Sequence, residues 1–359
     1  MSEEKESLWR RILKRYFING LNGMALGLFC TLIVGLILKQ IGSLIGGDVG
    51  NFIINAGTLA SVCTGSAIGI GTAYCMNAPR LIIFSSAITG LLGANAAAFI
   101  GGTLIVDGAV TLTGAGDPLG AFLAVVFGVE IGRLVSGRTK IDIIVTPSVT
   151  ILSGAILGSI IGPPLSNGMI WLGNAINVAT QLQPFLMGIV LSVSMGMILT
   201  LPISSAALSI ILGLSGLPAG AATIGCSTQM VGFAVASFQE NKWEGLFAQG
   251  IGTSMLQVPN IVKKPLIWLP PTIASAILGP LATCVFHMEN NPAGGGMGTS
   301  GLVGQIMTWQ TMAGSRPNGV LLAEILLLHF ILPAILTWLI SQWMRKKGYI
   351  QYGDMKLDA

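Results

Sequence analysis

The chain of 359 residues is 52% hydrophobic and only 9% charged, whereas an ordinary soluble domain carries roughly 25% charged residues. That balance excludes a soluble globular protein and predicts an all-α polytopic membrane protein; the 49 glycines have no three-residue period, which excludes collagen, and suit helices that pack closely where lipid gives no hydrophobic drive. The net charge of +4 comes mostly from the two ends, and no basic face carries interleaved aromatics, so nucleic acid is not an expected partner.

In residues 1–16, Lys5, Arg10, Arg11, Lys14 and Arg15 alternate with Leu8, Trp9, Ile12, Leu13 and Tyr16. This reads as a basic amphipathic segment on the inner membrane surface. A twin-arginine export signal is the rival reading of Arg10 and Arg11, but the apolar run that follows is long enough to span and lacks a cleavage site. Stretches of about 20 apolar residues predict crossings at 18–38, 52–75, 81–105, 119–136, 143–162, 184–202, 203–217, 220–238, 265–286 and 319–342. Ten crossings make one transmembrane domain over 17–342 and put both ends in the cytoplasm. Basic residues at Arg80, Arg138, Lys140, Lys242, Lys263, Lys264 and in the tail 343–359 fall on the inner side of that arrangement. Outer loops then hold Asp48, Asp107, Asp117 and the uncharged stretch from Pro163 to Gln183.

Two segments do not fit as crossings. Residues 245–262 are interrupted by Gln249, Gln257, Pro259 and Asn260, and residues 297–313 follow a glycine-rich break, so both are predicted to be re-entrant. A weak internal two-fold repeat is also visible. Lys140, Pro147 and Ser-Gly-Ala-Ile-Leu-Gly up to Gly158 parallel Lys264, Pro271 and Ala-Ser-Ala-Ile-Leu-Gly up to Gly279. Transporters are often two such halves with the substrate between them, and chance similarity among small apolar residues is the competing reading.

The break itself, residues 287–307, combines His287, Glu289, Asn290 and Asn291 with six glycines and with Thr299, Ser300 and Gln305. Irregular backbone at membrane depth survives only where protein buries it or where it lines a wet cavity, so this stretch is the leading binding-site candidate. An external loop with turn glycines is the alternative. Buried there, Glu289 would need a cavity, a proton or a partner, and His287, Arg316 and His329 are the available partners. A second polar cluster, Gly225 to Phe233, holds Ser227, Thr228 and Gln229, which suit hydrogen bonds to an uncharged solute or serve as glue between helices. Glu130 and Arg133, three apart, share a helix face and are expected to neutralise each other. Glu324 and His329, five apart, point away from each other. All five cysteines lie in apolar segments with no CxxC pair and read as small buried residues. No catalytic motif appears, and neither a metal nor another cofactor is expected.

Residues 288–305 (Met-Glu-Asn-Asn-Pro-Ala-Gly-Gly-Gly-Met-Gly-Thr-Ser-Gly-Leu-Val-Gly-Gln), with 225–233 (Gly-Cys-Ser-Thr-Gln-Met-Val-Gly-Phe) and 257–263 (Gln-Val-Pro-Asn-Ile-Val-Lys), resemble the PfoR-like family, classed as a second type of phosphotransferase-system EIIC membrane component. The resemblance runs from about residue 15 to 345. It implies a multi-pass permease of the bacterial plasma membrane for a small polar solute, a sugar first of all, forming a homodimer and working with separate IIA and IIB proteins, since the chain carries neither domain. The Gly-Ile-Thr-Glu-Pro motif of glucose-type EIICs is absent. A membrane-embedded ligand-sensing regulator, or a transporter of a lipid or lipid-linked substrate, is the alternative. Candidate solute ligands are His287, Glu289, Asn290, Asn291, Thr299, Ser300, Gln305, Thr228 and Gln229.

Overall fold

The computed structural model describes residues 13–112 and 114–357. The amphipathic reading of residues 1–16 therefore falls mostly outside the described residues. Helices dominate, with one two-residue hairpin, β1 (Ile105–Val106) and β2 (Ala109–Val110), turning through Asp107 and Gly108. The helices are α1 (Ile18–Ile45), α2 (Gly47–Val62), α3 (Thr64–Cys75), α4 (Arg80–Ala94), α5 (Ala96–Ile100), α6 (Pro118–Val135) and α7 (Asp142–Thr180), followed by α8 (Pro184–Thr200), α9 (Ser205–Ile211) and α10 (Leu217–Ala236). After these come α11 (Phe238–Phe247), α12 (Val258–Lys263), α13 (Pro265–Val285), α14 (Pro292–Gly295), α15 (Val303–Met312) and α16 (Asn318–Lys346).

Among the described residues, six helical stretches are long and apolar enough to cross a membrane: α1, α6, the first 21 residues of α7, α10, α13 and α16. A seventh is added if α2 and α3, bent by 51° at Cys63, form one broken span. Helices α4 and α8 are apolar but shorter.

Three predicted boundaries move. Residues 203–217 do not make a crossing helix: only α9 is helical, and its seven residues cover about 10 Å at 1.5 Å per residue, against roughly 30 Å of hydrocarbon. Pro202 before it, and Gly213 and Gly216 at positive φ after it, break the run. The stretch from Pro163 to Gln183, expected as an outer loop, is helical as far as Thr180, because α7 continues for 39 residues without a break at Pro163 or Pro164. The crossing predicted at 81–105 is helical to Ala94, breaks at Asn95 and gives way to the short α5 and the β-hairpin.

The chain folds into two compact units. The first joins the described residues up to Gly35 with Thr58–Ser166; the second joins Leu36–Gly57 with those from Asn167 onward. In the first, α3, α4 and α6 pack on one another and on the first part of α1, around Ile82, Val125 and Val129. Here the ion pairing differs from expectation. Glu130 pairs with Arg15 at 2.5 Å, and Arg133 instead donates to the carbonyl of Met76 at 2.6 Å. Three residues along a helix bring two side chains onto one face, but a partner supplied by another segment can win the contact.

The second unit is built around α10, whose sequence Leu-Pro-Ala-Gly-Ala-Ala-Thr-Ile-Gly-Cys-Ser-Thr-Gln is nearly all small. Of its most apolar window 94% is buried, against 28% for α16, so α10 is the inner helix. Helices α8, α13 and α16 and the chain from 287 to 312 enclose it. Its two threonine hydroxyls bond within the helix: Thr223 donates to the carbonyl of Ala219 and Thr228 to that of Ile224. Pro218 in its first turn and Gly216 ahead of it (φ 64°) set its start. Among the cysteines only Cys226, on this helix, is buried. Cys30, Cys63 and Cys284 are exposed and Cys75 is intermediate, which corrects the expectation of five buried thiols; apolar surroundings in sequence do not distinguish an inward face from an outward one.

Both predicted re-entrant segments are broken elements. Residues 245–262 comprise the end of α11, a π turn at Ala248–Gly252, an extended residue at Thr253, a 3₁₀ turn at Ser254–Gln257 and most of α12. Residues 119–136, predicted as a crossing, are by contrast the continuous helix α6.

Candidate functional site

Residues 287–312 form a hairpin against α10. Its first arm begins where Asn290 and Gly216 exchange backbone hydrogen bonds (2.8 and 3.2 Å). It then follows α10 closely: a Cβ on Gly220 would land on the carbonyl of Met288, and one on Gly298 would come within 2.6 Å of the Cys226 backbone. Gly298 also has φ of 53°, so this position calls for glycine twice over. The chain reverses through Gly301 and Leu302, both at positive φ, and α15 returns with Gln305 opposite Ser227.

Asn290 is the clasp of the hairpin. Fully buried, its Nδ2 faces Thr223 Oγ1 (2.8 Å) on α10, Thr308 Oγ1 (2.9 Å) and the Gly304 carbonyl (3.0 Å) on α15, while its Oδ1 accepts from the Asn291 amide at 2.8 Å. Asn291 caps α14 by accepting from the amides of Ala293 and Gly294, and it also donates to Thr311 at 3.2 Å. Both asparagines thus hold two arms and a helix together.

Deeper along α10 lies a second group. Gln305 Nε2 is 2.9 Å from His329 Nδ1 and 3.4 Å from Ser227 Oγ. His329 is 1% exposed and sits in a π turn, Leu327–Ile331, that swells α16 at this level. Such turns often occur at functional positions. Thr299 donates to the sulfur of Met230 at 3.4 Å. Gln305 Oε1 and Ser300 Oγ are buried with no hydrogen-bond partner. Buried polar atoms are nearly always paired, so these two unpaired oxygens on one hairpin mark unused bonding capacity.

The remaining candidates separate. His287 and Glu289 are exposed at the outer end of the hairpin, His287 with φ of 45°. Two of the three partners expected for Glu289 are taken: Arg316 pairs with Glu324 at 2.5 Å and donates to the Phe286 carbonyl, and His329 is held by Gln305; the third, His287, makes no ion pair with it among the described residues. As expected, Glu324 and His329 are not a pair. Thr228 and Gln229 are buried on α10, but Gln229 faces away from the Asn290 clasp, accepting from Trp268 Nε1 (3.1 Å) and Thr200 and donating to Thr272 (3.2 Å). Six residues of α10 separate Thr223, at the clasp, from Gln229, about 9 Å along the axis. The sequence reading grouped Ser227 with Thr228 and Gln229 as suited to an uncharged solute but named neither it nor His329 among the candidate ligands; the π turn that sets His329 leaves no mark in the residues.

Compared with known proteins, residues 18–357 match the family model described as "Phosphotransferase system, EIIC". No curated protein matches the chain, and no solved structure does. The match spans nearly every described residue, including the hairpin, α10 and both broken segments. With a helical, strongly apolar architecture and a match over most of its length, the chain belongs to the phosphotransferase-system EIIC family and is a multi-pass membrane component of sugar transport.

Proposed function

We propose that the chain binds a small polar solute, a sugar, where the 287–312 hairpin packs on α10, and moves it across the bacterial plasma membrane with separate IIA and IIB proteins as phosphate donors. The observation that carries this is the buried, unpartnered Gln305 Oε1 on a side chain that also reaches Ser227 and His329, with a second buried, unpartnered oxygen, Ser300 Oγ, on the same hairpin. All are neutral hydrogen-bonding groups, which recognise hydroxyls without the desolvation cost of a buried charge. In this reading Gln305, Ser300 and Thr299 contact the solute, Thr228 borders them on α10, and Gln229 ties the other side of that helix to Trp268 and Thr272. Asn290 and Asn291 keep the hairpin closed on that helix, and His287 and Glu289 stand at its mouth. The glycines allow backbone to approach as closely as such a site needs. A homodimer and cytoplasmic termini are part of the same proposal, the orientation of the termini being supported by the basic residues near both ends.

Proteoliposomes holding the purified chain, tested with a panel of labelled hexoses and hexitols with and without IIA and IIB proteins, check it. Saturable uptake that depends on the partners is expected. Binding without uptake would instead favour a sensor, and retention of lipid in place of sugars would favour a lipid substrate.

A further inference from the structure

The other broken segment, residues 238–263, is covered by the chain that follows α16. Residues 350–357 lie across it and are tied down by side-chain amides. Asn241 Nδ2 and Gln257 Nε2 both donate to the Met355 carbonyl (2.8 and 2.9 Å), Asn260 Nδ2 donates to the Lys356 carbonyl (2.8 Å), and Asn241 Oδ1 accepts from the Leu357 amide (2.8 Å). The amides are also joined to one another. Gln257 donates to Gln249 Oε1, Asn260 donates to Gln257 Oε1, and Gln249 donates to Ser237 and to the Gly245 carbonyl. Every amide hydrogen of Gln249, Gln257 and Asn260 is thereby used, and two of the six reach the covering segment. An ion pair, Arg345 with Glu240 at 3.0 Å and each side chain 5% exposed, and the Gly353 amide on Glu240 add a second anchor. Ile350 and Met355, each 1% exposed, supply the apolar contact.

Two glycines at positive φ accompany the cover, and it borders a cavity. Gly348 (φ 77°) precedes it and Gly353 (φ 100°) lies within it, and open space surrounds both. Beneath Tyr352 a cavity of about 250 Å³, lined by Phe238, Gln239, Trp338 and Gln342 among others, is left unfilled. The segment being covered has the form of something that can move: it contains a π turn, an extended break at Thr253 and a strained Lys242 (φ 51°). Its π turn, Ala248–Gly252, packs on Ser300–Leu302 at the tip of the other hairpin.

From these contacts we infer that the amide cluster of Asn241, Gln257 and Asn260 is a peptide-binding site for this chain's own residues 350–357, and that the bound segment is a latch whose release frees residues 245–262 to move. The chemistry it reads is main-chain carbonyl and amide, together with one buried methionine. It rests on contacts within this part of the chain and not on which solute is carried, so its failure leaves the solute-binding reading intact.

Hydrogen–deuterium exchange on the full chain in nanodiscs tests the latch. Asn241→Asp with Asn260→Asp is close to isosteric and removes the donors; Met355→Ala removes the apolar anchor from the covering side without touching the segment beneath. In the native protein the amides of 350–357 should exchange slowly. In either variant they should exchange at least about tenfold faster, the equivalent of roughly 1.4 kcal/mol of lost hold, and amides between 248 and 257 should speed up with them. Free exchange of 350–357 in the native protein, unchanged exchange in a folded Met355→Ala variant, or release of 350–357 with no change at 248–257 would each overturn the proposal.

Discussion

Gln305 is the residue on which the solute reading turns. It is buried, half its amide is committed to His329 and Ser227, and the other half has nothing to bond. Gln305→Ala should weaken solute binding about 10- to 100-fold, the loss of one or two hydrogen bonds in a dry site, with folded yield retained; equilibrium binding on purified protein reads this. Asn290 should behave in the opposite way. Its removal leaves Thr223, Thr308 and the Gly304 carbonyl without their shared partner, so Asn290→Ala should cost about 2–4 kcal/mol of stability, seen as a lower unfolding midpoint. Glu289 is exposed and has no ion pair among the described residues. Glu289→Gln is therefore expected to leave affinity and its pH profile unchanged, and a shifted profile would place the carboxylate among the solute contacts.

At the scale of the element, the first arm of the hairpin depends on its distance from α10. Gly298→Ala adds a Cβ that meets the Cys226 backbone at 2.6 Å, at a positive φ that L side chains resist. It should lower the yield of folded protein or detach the hairpin, whereas Gly319→Ala, with open space around it, should be silent. Comparing monodisperse yield and melting of the two proteins decides whether close approach, rather than glycine content, shapes the site. Number and clustering of glycines were visible in the residues; which ones touch another backbone was not, because that depends on a helix 70 positions away. Likewise both broken segments were legible from their polar interruptions, but the contacts of Asn241, Gln257 and Asn260 with residues 350–357 were hidden by about a hundred residues of intervening chain.

For the whole molecule, the distribution of lysine and arginine predicts that both ends face the cytoplasm. Reporter fusions at residue 3 and residue 357 should both report inside, and an external signal at either end rejects this orientation.

The sequence by itself determined the class of molecule, the approximate extent of most long helices and the location of the polar hairpin. These follow from properties that are local along the chain: a span is a run of apolar residues of a certain length, and a break is glycine, proline or an amide inside such a run. Tertiary structure alone decided who pairs with whom. Glu130 meets Arg15 and not Arg133, Arg316 meets Glu324 and not Glu289, and Gln305 meets His329, because each contact is settled by helices brought side by side in space. It also decided that 203–217 is too broken to cross and that α7 runs on to Thr180. Hydropathy measures how well a residue suits lipid or a protein interior, and the two environments are equally apolar, so it cannot tell the enclosed α10 from a helix on the rim.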